Sequence, residues 1–221
     1  MTTETLLIIG ASKGIGRCAV DHALERGCSV RAMARRADEI DIEHERLAKF
    51  PGDATDRDDA TRALEGVDAV IFVLGLPAGL TRLLRPVTLF SRSTEILVDA
   101  MEDNGPKRLI AVTGFGAGES RNAMNAVEEL GHHVLLGRAY ADKSVQEKII
   151  QRSSLDWTIA RPTILTNAPA TDTYKVLTDP KSWRNGLISR GDVAAFLVER
   201  ALDRQNLHEA PVLTGGCSSR P

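Results

Sequence analysis

The sequence predicts an α/β fold with a doubly wound, mainly parallel sheet and helices on both faces. Short apolar runs of strand length alternate with longer stretches in which apolar residues recur at helical spacing. The first apolar run leads directly into a glycine-rich turn, and a helical stretch follows it. Regular strand–helix alternation predicts parallel strands joined by crossover helices, which cover both faces of the sheet.

The predicted elements follow one another along the whole chain. Seven apolar segments are predicted to be strands: residues 5–9, 29–33, 48–52, 69–74, 108–112, 157–160 and 211–213. Five segments are predicted to be helices: residues 14–26, 56–64, 92–104, 142–153 and 192–202. Capping-box patterns mark the start of two of these helices, Thr55 with Asp58 and Ser189 with Asp192.

Two segments interrupt this alternation. Residues 113–140 are glycine-rich and then polar, and residues 166–190 have no clear period. Both follow predicted strands, and doubly wound sheets bind their ligands at the carboxyl ends of the strands. We therefore expect one domain over residues 1–221, with residues 166–190 as an irregular, small C-terminal substrate-binding region. The alternative is that both segments are surface connections.

Composition argues against several classes of protein. The 221 residues carry a net charge of −2 and only 4% aromatic residues, which argues against nucleic-acid binding. Three cysteines form neither a CxxC pair nor an even disulfide set, which favours reduced thiols. The sequence shows no signal-peptide pattern, and no apolar run approaches the roughly 20 residues of a membrane span. We expect a cytoplasmic monomer or homodimer that binds a small-molecule substrate, without nucleic-acid or membrane partners.

Gly10, Gly14 and Gly16 lie between the first predicted strand and the first predicted helix. Gly10 permits a tight turn, Gly14 lets the backbone approach a diphosphate, and Gly16 lets the helix pack closely on the strand. The helix N-terminus adds free amides and the positive end of the helix dipole. Because this pattern opens the first βαβ unit, it predicts a dinucleotide-binding loop rather than a chance glycine-rich turn.

Charges after the second predicted strand indicate which dinucleotide is preferred. A site for NAD typically has an acidic residue there, which binds the ribose 2′-hydroxyl. Here the strand leads into Arg35 and Arg36, and the carboxylates of Asp38 and Glu39 come later. Arginine forks suit a 2′-phosphate, and Lys13 adds a third cation. The sequence therefore predicts NADP(H) in preference to NAD(H), the alternative being solvated surface charges.

Two further interpretations concern Asp53 and the adjacent histidines His132 and His133. Asp53 follows the third predicted strand, where a carboxylate can accept a hydrogen bond from the adenine amino group; the alternative is an ordinary loop or capping aspartate. His132 and His133 are adjacent, so they do not share one helix face and lack a helical metal-ligand spacing. No metal site is predicted.

Several segments together resemble the atypical branch of the short-chain dehydrogenase/reductase superfamily, which includes NADPH-dependent flavin/biliverdin reductases and NmrA-like proteins. The segments are residues 10–16, Arg35, residues 53–54, 112–116, 155–162 and 188–195. The resemblance covers nearly the whole chain and implies a Rossmann fold, with Ser189 and Asp192 in structural roles. The implied cofactor site comprises Gly10, Ser12, Lys13, Gly14, Ile15, Gly16, Arg35, Arg36, Asp53, Ala54, Leu74, Gly75, Thr113, Lys143, Pro162, Thr163 and Ile164.

The catalytic residues of the main branch of this superfamily are only partly matched. That branch uses a serine and a Tyr-x-x-x-Lys pair, in which the tyrosine is a general acid. Thr113 stands at the serine position and Lys143 at the lysine position, where it is expected to contact the ribose or nicotinamide. Ala139 stands where the tyrosine would be, and Tyr140 is one residue further, which turns a helical side chain by about 100°. The catalytic candidates are thus Thr113, Lys143 and Tyr140, with the role of Tyr140 open.

The displaced tyrosine favours an acceptor that needs no positioned acid. A flavin or quinone delocalises the incoming electron pair, and water can supply the proton. Phe115 and Trp183 are candidates to stack on such a ring, the alternative being plain packing. We therefore expect an NADPH-dependent reductase of a flavin, quinone or related conjugated carbonyl. Two alternatives stay open: an NmrA-like NADP(H) sensor with little turnover, and an atypical epimerase, dehydratase or ketoreductase that uses Tyr140.

Overall fold

An eight-stranded sheet forms the centre of the molecule in the computed structural model, which describes residues 4–75, 87–123 and 126–216. The strands are β1 (Thr5–Ile9), β2 (Ser29–Ala34), β3 (Leu47–Pro51), β4 (Ala69–Phe72), β5 (Arg108–Val112), β6 (Asp156–Pro162), β7 (Ile164–Thr166), β8 (Lys175–Leu177), β9 (Leu187–Ser189) and β10 (Val212–Thr214). The helices are α1 (Gly14–Glu25), α2 (Arg57–Leu64), α3 (Leu89–Asn104), α4 (Ala126–Arg152) and α5 (Arg190–Asp203).

The strand order of the large sheet is β3-β2-β1-β4-β5-β6-β10-β8. Its neighbouring strands pair in parallel except β8, which pairs antiparallel with β10. Strands β7 and β9 form a separate parallel pair. The order reverses between β1 and β4, which is the point at which doubly wound sheets bind ligands. The predicted α/β class is confirmed.

Both faces of the sheet are buried. On β1, Leu6 and Ile8 pack on one face with residues of α1 and α5, whereas Leu7 and Ile9 pack on the other with residues of α2 and α3. Because successive strand residues point to opposite faces, a strand covered on both sides is a continuous apolar run. The seven predicted strands are all found, each within two residues of its observed ends. Burial on both faces explains the continuous apolar runs of the central strands, whereas the edge strand β3 is only partly buried.

The helix boundaries differ from prediction at α4 and α3. Helix α4 begins at Ala126 rather than at Asp142, and a 3-10 turn over Gly118–Ala123 precedes it. The segment expected to be irregular is therefore partly helical, and its apolar residues keep to no single face. Helix α3 begins at Leu89 rather than at Arg92.

The segment 166–190 is also more regular than expected. It contains β8, β9 and a 3-10 turn over Pro180–Ser182. Strands of three residues are too short to show a period in the sequence.

The two predicted helix caps have different outcomes. Ser189 caps α5 as predicted, because its hydroxyl accepts a hydrogen bond from the Asp192 amide at 2.9 Å. The cap of α2 is Asp56 rather than Thr55, since Asp56 accepts from the amides of Asp58 and Asp59 at 2.9 and 3.0 Å. A carboxylate one residue closer to the helix thus takes the capping position.

Helix α3 is capped by a side chain of another helix. The carboxylate of Asp142, on α4, accepts hydrogen bonds from the amides of Phe90 at 2.8 Å and Ser91 at 3.3 Å. Asp142 is 6% exposed, so these bonds are shielded from water. They fix the start of α3 to the middle of α4.

Candidate functional site

A cavity of about 1100 Å³ opens at the carboxyl ends of strands β1 to β6. The predicted cofactor residues that line it are Gly10, Ser12, Lys13, Gly14, Ile15, Arg35, Arg36, Asp53, Ala54, Leu74, Gly75, Thr113, Lys143, Pro162 and Thr163. Two predicted residues do not line it: Gly16 packs against Gly10, and Ile164 is 56% exposed. The cavity therefore brings together residues from both halves of the chain.

The glycine loop has the close packing that its sequence predicts. Gly10 has a φ of +91°, and a Cβ there would lie 2.6 Å from the carbonyl oxygen of Val73. A Cβ on Gly16 would lie 2.2 Å from the carbonyl oxygen of Gly10. The Lys13 side chain makes no capping bond to α1, so it leaves the first amides of this helix open to an anion. This backbone fits the diphosphate of a dinucleotide.

Three cations line one end of the cavity, but they are not equivalent. Arg36 pairs with Glu39 at 3.2 Å. The side chains of Lys13 and Arg35 make no hydrogen bond or ion pair with the residues that the structure describes. Asp38 and Glu39 lie in a 3-10 turn beyond the strand and do not line the cavity. Lys13 and Arg35 are thus the cations at this end that no described residue contacts by a hydrogen bond or ion pair, although the charge of Arg35 acts at longer range on Asp53.

Asp53 lies at the same end of the cavity as Arg35. Its Oδ1 accepts hydrogen bonds from the Thr55 amide at 2.9 Å and the Thr55 hydroxyl at 2.8 Å. These two bonds, together with the charge of Arg35, lower the pKa of Asp53. The carboxylate is therefore ionised at neutral pH and can accept a further hydrogen bond from a ligand.

At the other end of the cavity, Thr113 is part of a buried network. Its hydroxyl donates to Glu147 Oε1 at 2.7 Å, and Glu147 in turn pairs with Arg161 at 2.7 Å. The side chains of Arg161 and Glu147 are 1% and 2% exposed. A hydroxyl has one proton, so Thr113 offers the cavity an acceptor rather than a donor.

Lys143 lies half-buried beside this network. Its Nζ donates to the backbone oxygen of Thr113 at 2.5 Å and lies 5.1 Å from the centre of the Phe90 ring. Burial lowers the pKa of Lys143 to about 8, although the nearby carboxylate of Glu147 opposes this change. Lys143 therefore carries its charge at neutral pH and loses it under mildly alkaline conditions.

Tyr140 faces the same cavity as Lys143. The two residues are three apart on α4 and so occupy neighbouring positions on its surface, with the Lys143 Nζ 5.5 Å from the Tyr140 ring centre. The Tyr140 hydroxyl lies close to the backbone of Gly114, where a Cβ would approach it to 2.7 Å. Burial raises the pKa of Tyr140, so the phenol keeps its proton at neutral pH. Its direction, which the sequence left open, is into the cavity.

The two aromatic side chains expected to stack on a substrate do not line this cavity. Phe115 is 5% exposed and packs in the interior. Trp183 donates through Nε1 to the backbone oxygen of Leu177 at 2.9 Å, and its ring lies 5.2 Å from the Arg161 guanidinium. The structure thus gives both aromatics packing contacts.

Other residues line the cavity that sequence reasoning missed. They include Thr88, Leu89, Arg92, Leu165 and Arg190. Arg190 is the last residue of the segment 166–190, which was expected to bind substrate, but the sequence did not indicate Arg190 as a cavity residue, and it begins α5. All five are distant in sequence from the glycine loop, so no local spacing relates them to it.

The described residues also bear on metal binding and on membrane insertion. Within them, no group of three or more His, Cys, Asp or Glu side chains is arranged to hold a metal ion. None of their helices combines the length and apolar character that crossing a membrane requires. Cys18 and Cys28 are free thiols, and Cys217 and the side chains of His132 and His133 lie outside the described part.

Comparisons with known proteins agree with this geometry. A family model described as NAD(P)H-binding matches residues 10–204. The chain is 29% identical over 213 residues to the uncharacterized sugar epimerase YhfK of Bacillus subtilis, with 91% of this chain and 89% of that protein covered.

Solved structures share the fold. ChuY, an anaerobillin reductase from Escherichia coli, has a TM-score of 0.76 at 23% identity, with 99% of this chain and 100% of that chain covered. A short-chain dehydrogenase/reductase from Veillonella parvula, solved in complex with NADP, has a TM-score of 0.81 at 16% identity, with 99% and 98% covered. These similarities confirm the predicted Rossmann fold.

Proposed function

This chain belongs to the NAD(P)H-binding family, and we propose that it is a reductase that transfers hydride from NADPH to a conjugated acceptor such as a flavin or quinone. The cavity would hold the dinucleotide along its length, from Asp53 past the glycine loop to Pro162 and Thr163. The nicotinamide, when bound, supplies the hydride. The remaining space at the end near Tyr140 would take the acceptor.

The preference for NADPH rests on Lys13 and Arg35. Both line the cavity without a hydrogen bond or ion pair to a described residue, so neither has a counter-charge in direct contact. A 2′-phosphate would supply that counter-charge, and the planar guanidinium of Arg35 suits its oxygen atoms. NADH lacks this phosphate, so it would leave both cations without a partner.

The observation that carries the choice of acceptor is the hydrogen bond from Thr113 to Glu147. A ketone reductase needs donors that meet the oxygen on which negative charge develops. Here the Thr113 proton is held by Glu147, and Lys143 gives one of its three protons to the Thr113 backbone oxygen, which leaves Tyr140 as the acid that such a reaction would need. A conjugated ring spreads the incoming electron pair and depends mainly on face-to-face orientation, which this arrangement can supply.

The residues of the chain then have separate roles in the proposed reaction. Lys143 holds the ribose or nicotinamide, and its bond to the Thr113 backbone fixes its direction. Pro162 and Thr163 form the wall behind the nicotinamide end of the cavity. That ChuY is named as a reductase supports the reaction class, since it shares this fold.

The test has two steps. Titration with NADPH and NADH by calorimetry is expected to show tighter binding of NADPH. NADPH oxidation is then followed at saturating cofactor with free flavins and a panel of quinones, and turnover is expected with at least one acceptor class. Tight NADPH binding without turnover on any acceptor would contradict the reductase and favour an NADP(H)-binding sensor.

A second candidate, an epimerase, dehydratase or ketoreductase, is favoured by the position of Tyr140. Its protonated phenol lines the cavity beside Lys143, as a general acid would. The similarity to YhfK, named as a sugar epimerase, supports the same candidate.

The variant Tyr140→Phe separates these two candidates. If the acceptor is a conjugated ring, kcat is expected to change by less than about threefold, because water supplies the proton. If Tyr140 is the acid, kcat is expected to fall by about a hundredfold or more. The measurement is steady-state turnover, followed as NADPH oxidation for a reductase or ketoreductase and as substrate conversion for an epimerase or dehydratase, which consume no NADPH overall. The NADPH affinity of the variant is the control for folding.

A further inference from the structure

Arg190, the first residue of α5, lies against the glycine loop. A Cβ built on Gly14 would lie 3.7 Å from Arg190 Nε and 3.8 Å from its Cδ, which are ordinary contact distances. The side chain is half-buried and lines the cavity. Helices α1 and α5 pack on the same face of the sheet, and the approach of Arg190 to Gly14 shows that their first residues lie side by side. Arg190 therefore places a positive charge beside the glycine-loop backbone that would contact the diphosphate.

The charge of Arg190 is not neutralised by a described carboxylate. Its Nη1 donates to the amide oxygen of Asn167 at 2.6 Å, which is a neutral partner. The carboxylate of Asp192, two residues further on, accepts instead from Thr171, Asp172 and Ser189. A half-buried cation that faces a cavity without a counter-charge is available to an anionic ligand.

A purely structural role, as the tether of Asn167, does not explain the charge. The segment after β7 is already held to the start of α5 by other contacts. Asp192 accepts hydrogen bonds from the amides of Thr171 and Asp172 at 2.7 and 2.9 Å. Ala170 packs so closely on Gly191 that a Cβ there would lie 2.9 Å from the Ala170 Cβ. A neutral donor would serve the remaining bond to Asn167 equally well.

We infer that Arg190 binds the diphosphate of the dinucleotide, together with the first amides of α1. This inference rests on the proposed NADPH site and adds to it a contact from the C-terminal part of the chain. The guanidinium nitrogens other than Nη1 would donate to the diphosphate oxygens, while Nη1 stays on Asn167. Asn167 thereby positions the guanidinium, and Arg190 is the cofactor-binding residue.

Ligands that contain different parts of the cofactor test this assignment. Calorimetry compares NADPH, adenosine 2′,5′-bisphosphate and adenosine 2′-monophosphate. The first two carry phosphate at the 5′ position, and the third carries only the 2′-phosphate. For Arg190→Met, the affinities for NADPH and the bisphosphate are expected to fall by about tenfold or more. The affinity for the 2′-monophosphate is expected to stay within about twofold.

Three further variants serve as controls. Arg35→Met is expected to lower the affinity for all three ligands, because all of them carry the 2′-phosphate. Arg184→Met removes an exposed arginine that does not line the cavity, and it is expected to change none of the three affinities. Arg190→Lys keeps a positive charge and is expected to recover part of the affinity for NADPH. Thermal unfolding of each variant without ligand checks that the fold is retained.

The outcomes are distinguishable. Loss of NADPH and bisphosphate binding in Arg190→Met, with the monophosphate unaffected, supports the assignment. Unchanged affinity for all three ligands overturns it and leaves Arg190 as a tether of Asn167. An equal loss for all three also overturns it, because the effect would not be specific to the diphosphate. If the unmodified protein binds none of the three, the proposed NADPH site itself is wrong.

Discussion

The two ends of the cavity use their polar groups in opposite ways. At the end formed by β1 and β2, Lys13 and Arg35 have no hydrogen bond or ion pair with the described residues. At the end formed by β5, β6 and α4, Thr113, Glu147 and Arg161 bond to one another, and Lys143 bonds to the Thr113 backbone. The cations at the first end are therefore available to a ligand, whereas the polar groups at the second end are hydrogen-bonded to one another.

This difference indicates how the two ends contribute to function. Exposed cations without partners recognise a charged group, so they select the cofactor and supply affinity. A buried, mutually bonded network is rigid, so it holds groups in place instead of binding charge. We therefore expect substitutions at the first end to change cofactor affinity and substitutions at the second end to change stability or orientation.

The largest effect is expected from Glu147→Gln. This change leaves the Arg161 guanidinium buried without a counter-charge, so the free energy of unfolding is expected to fall by about 3–5 kcal/mol. Urea denaturation followed by circular dichroism measures it. The double variant Glu147→Met, Arg161→Met removes both charges and is expected to lose less than the sum of the two single methionine variants. Additive losses would show that the two side chains are not coupled.

Lys143→Met is expected to have the next largest effect, and it depends on pH. The folded pKa of Lys143 is lowered to about 8 from its ordinary value of 10.5. Below pH 8 both states hold the proton, and the folded state bears the penalty of a buried charge. Between these two pKa values the unfolded state holds the proton and the folded state does not, so stability rises with pH.

The stability of the unmodified protein relative to Lys143→Met should therefore rise by about 2–3 kcal/mol from about pH 7 to about pH 10.5. Urea denaturation of both proteins across this range measures it. Lys148→Met, which removes an exposed lysine of the same helix, is the matched control and should show no such rise. A constant difference between the unmodified protein and Lys143→Met would show that the Lys143 pKa is not lowered.

The smallest free-energy change is expected from Arg35→Glu, at the other end of the cavity. The new carboxylate would repel the 2′-phosphate, so the affinity for NADPH is expected to fall by about tenfold to a hundredfold. The affinity for NADH is expected to fall by much less. Calorimetric titration of both cofactors measures it. Arg36→Glu should have the smaller effect, since Arg36 already pairs with Glu39. Equal losses of NADPH and NADH would show that Arg35 does not bind the 2′-phosphate.

The sequence predicts the first end of the cavity better than the second. Gly10, Gly14 and Gly16 stand close together in the chain, and Arg35 follows the next strand directly, so local spacing is enough to identify them. The buried strands are equally evident, because residues covered on both faces form continuous apolar runs.

The second end depends on contacts between distant residues. Glu147 and Arg161 come from α4 and β6, and the sequence contains no pattern that pairs them. The direction of Tyr140 depends on where α4 begins, and that start lies in a stretch without a single apolar face. Arg190 is brought to the glycine loop only by the packing of α5 beside α1. Tertiary structure, and not local spacing, places these residues.

The cap that Asp142 supplies to α3 has a consequence for how the molecule opens. The amides of Phe90 and Ser91 are held by a carboxylate of α4, so they exchange with solvent deuterium only when these bonds to α4 open. Leu89, at the start of α3, and Lys143, next to Asp142, both line the cavity. The exchange rates of these two amides therefore report the opening of the cavity wall, and a ligand bound between the helices would slow them together.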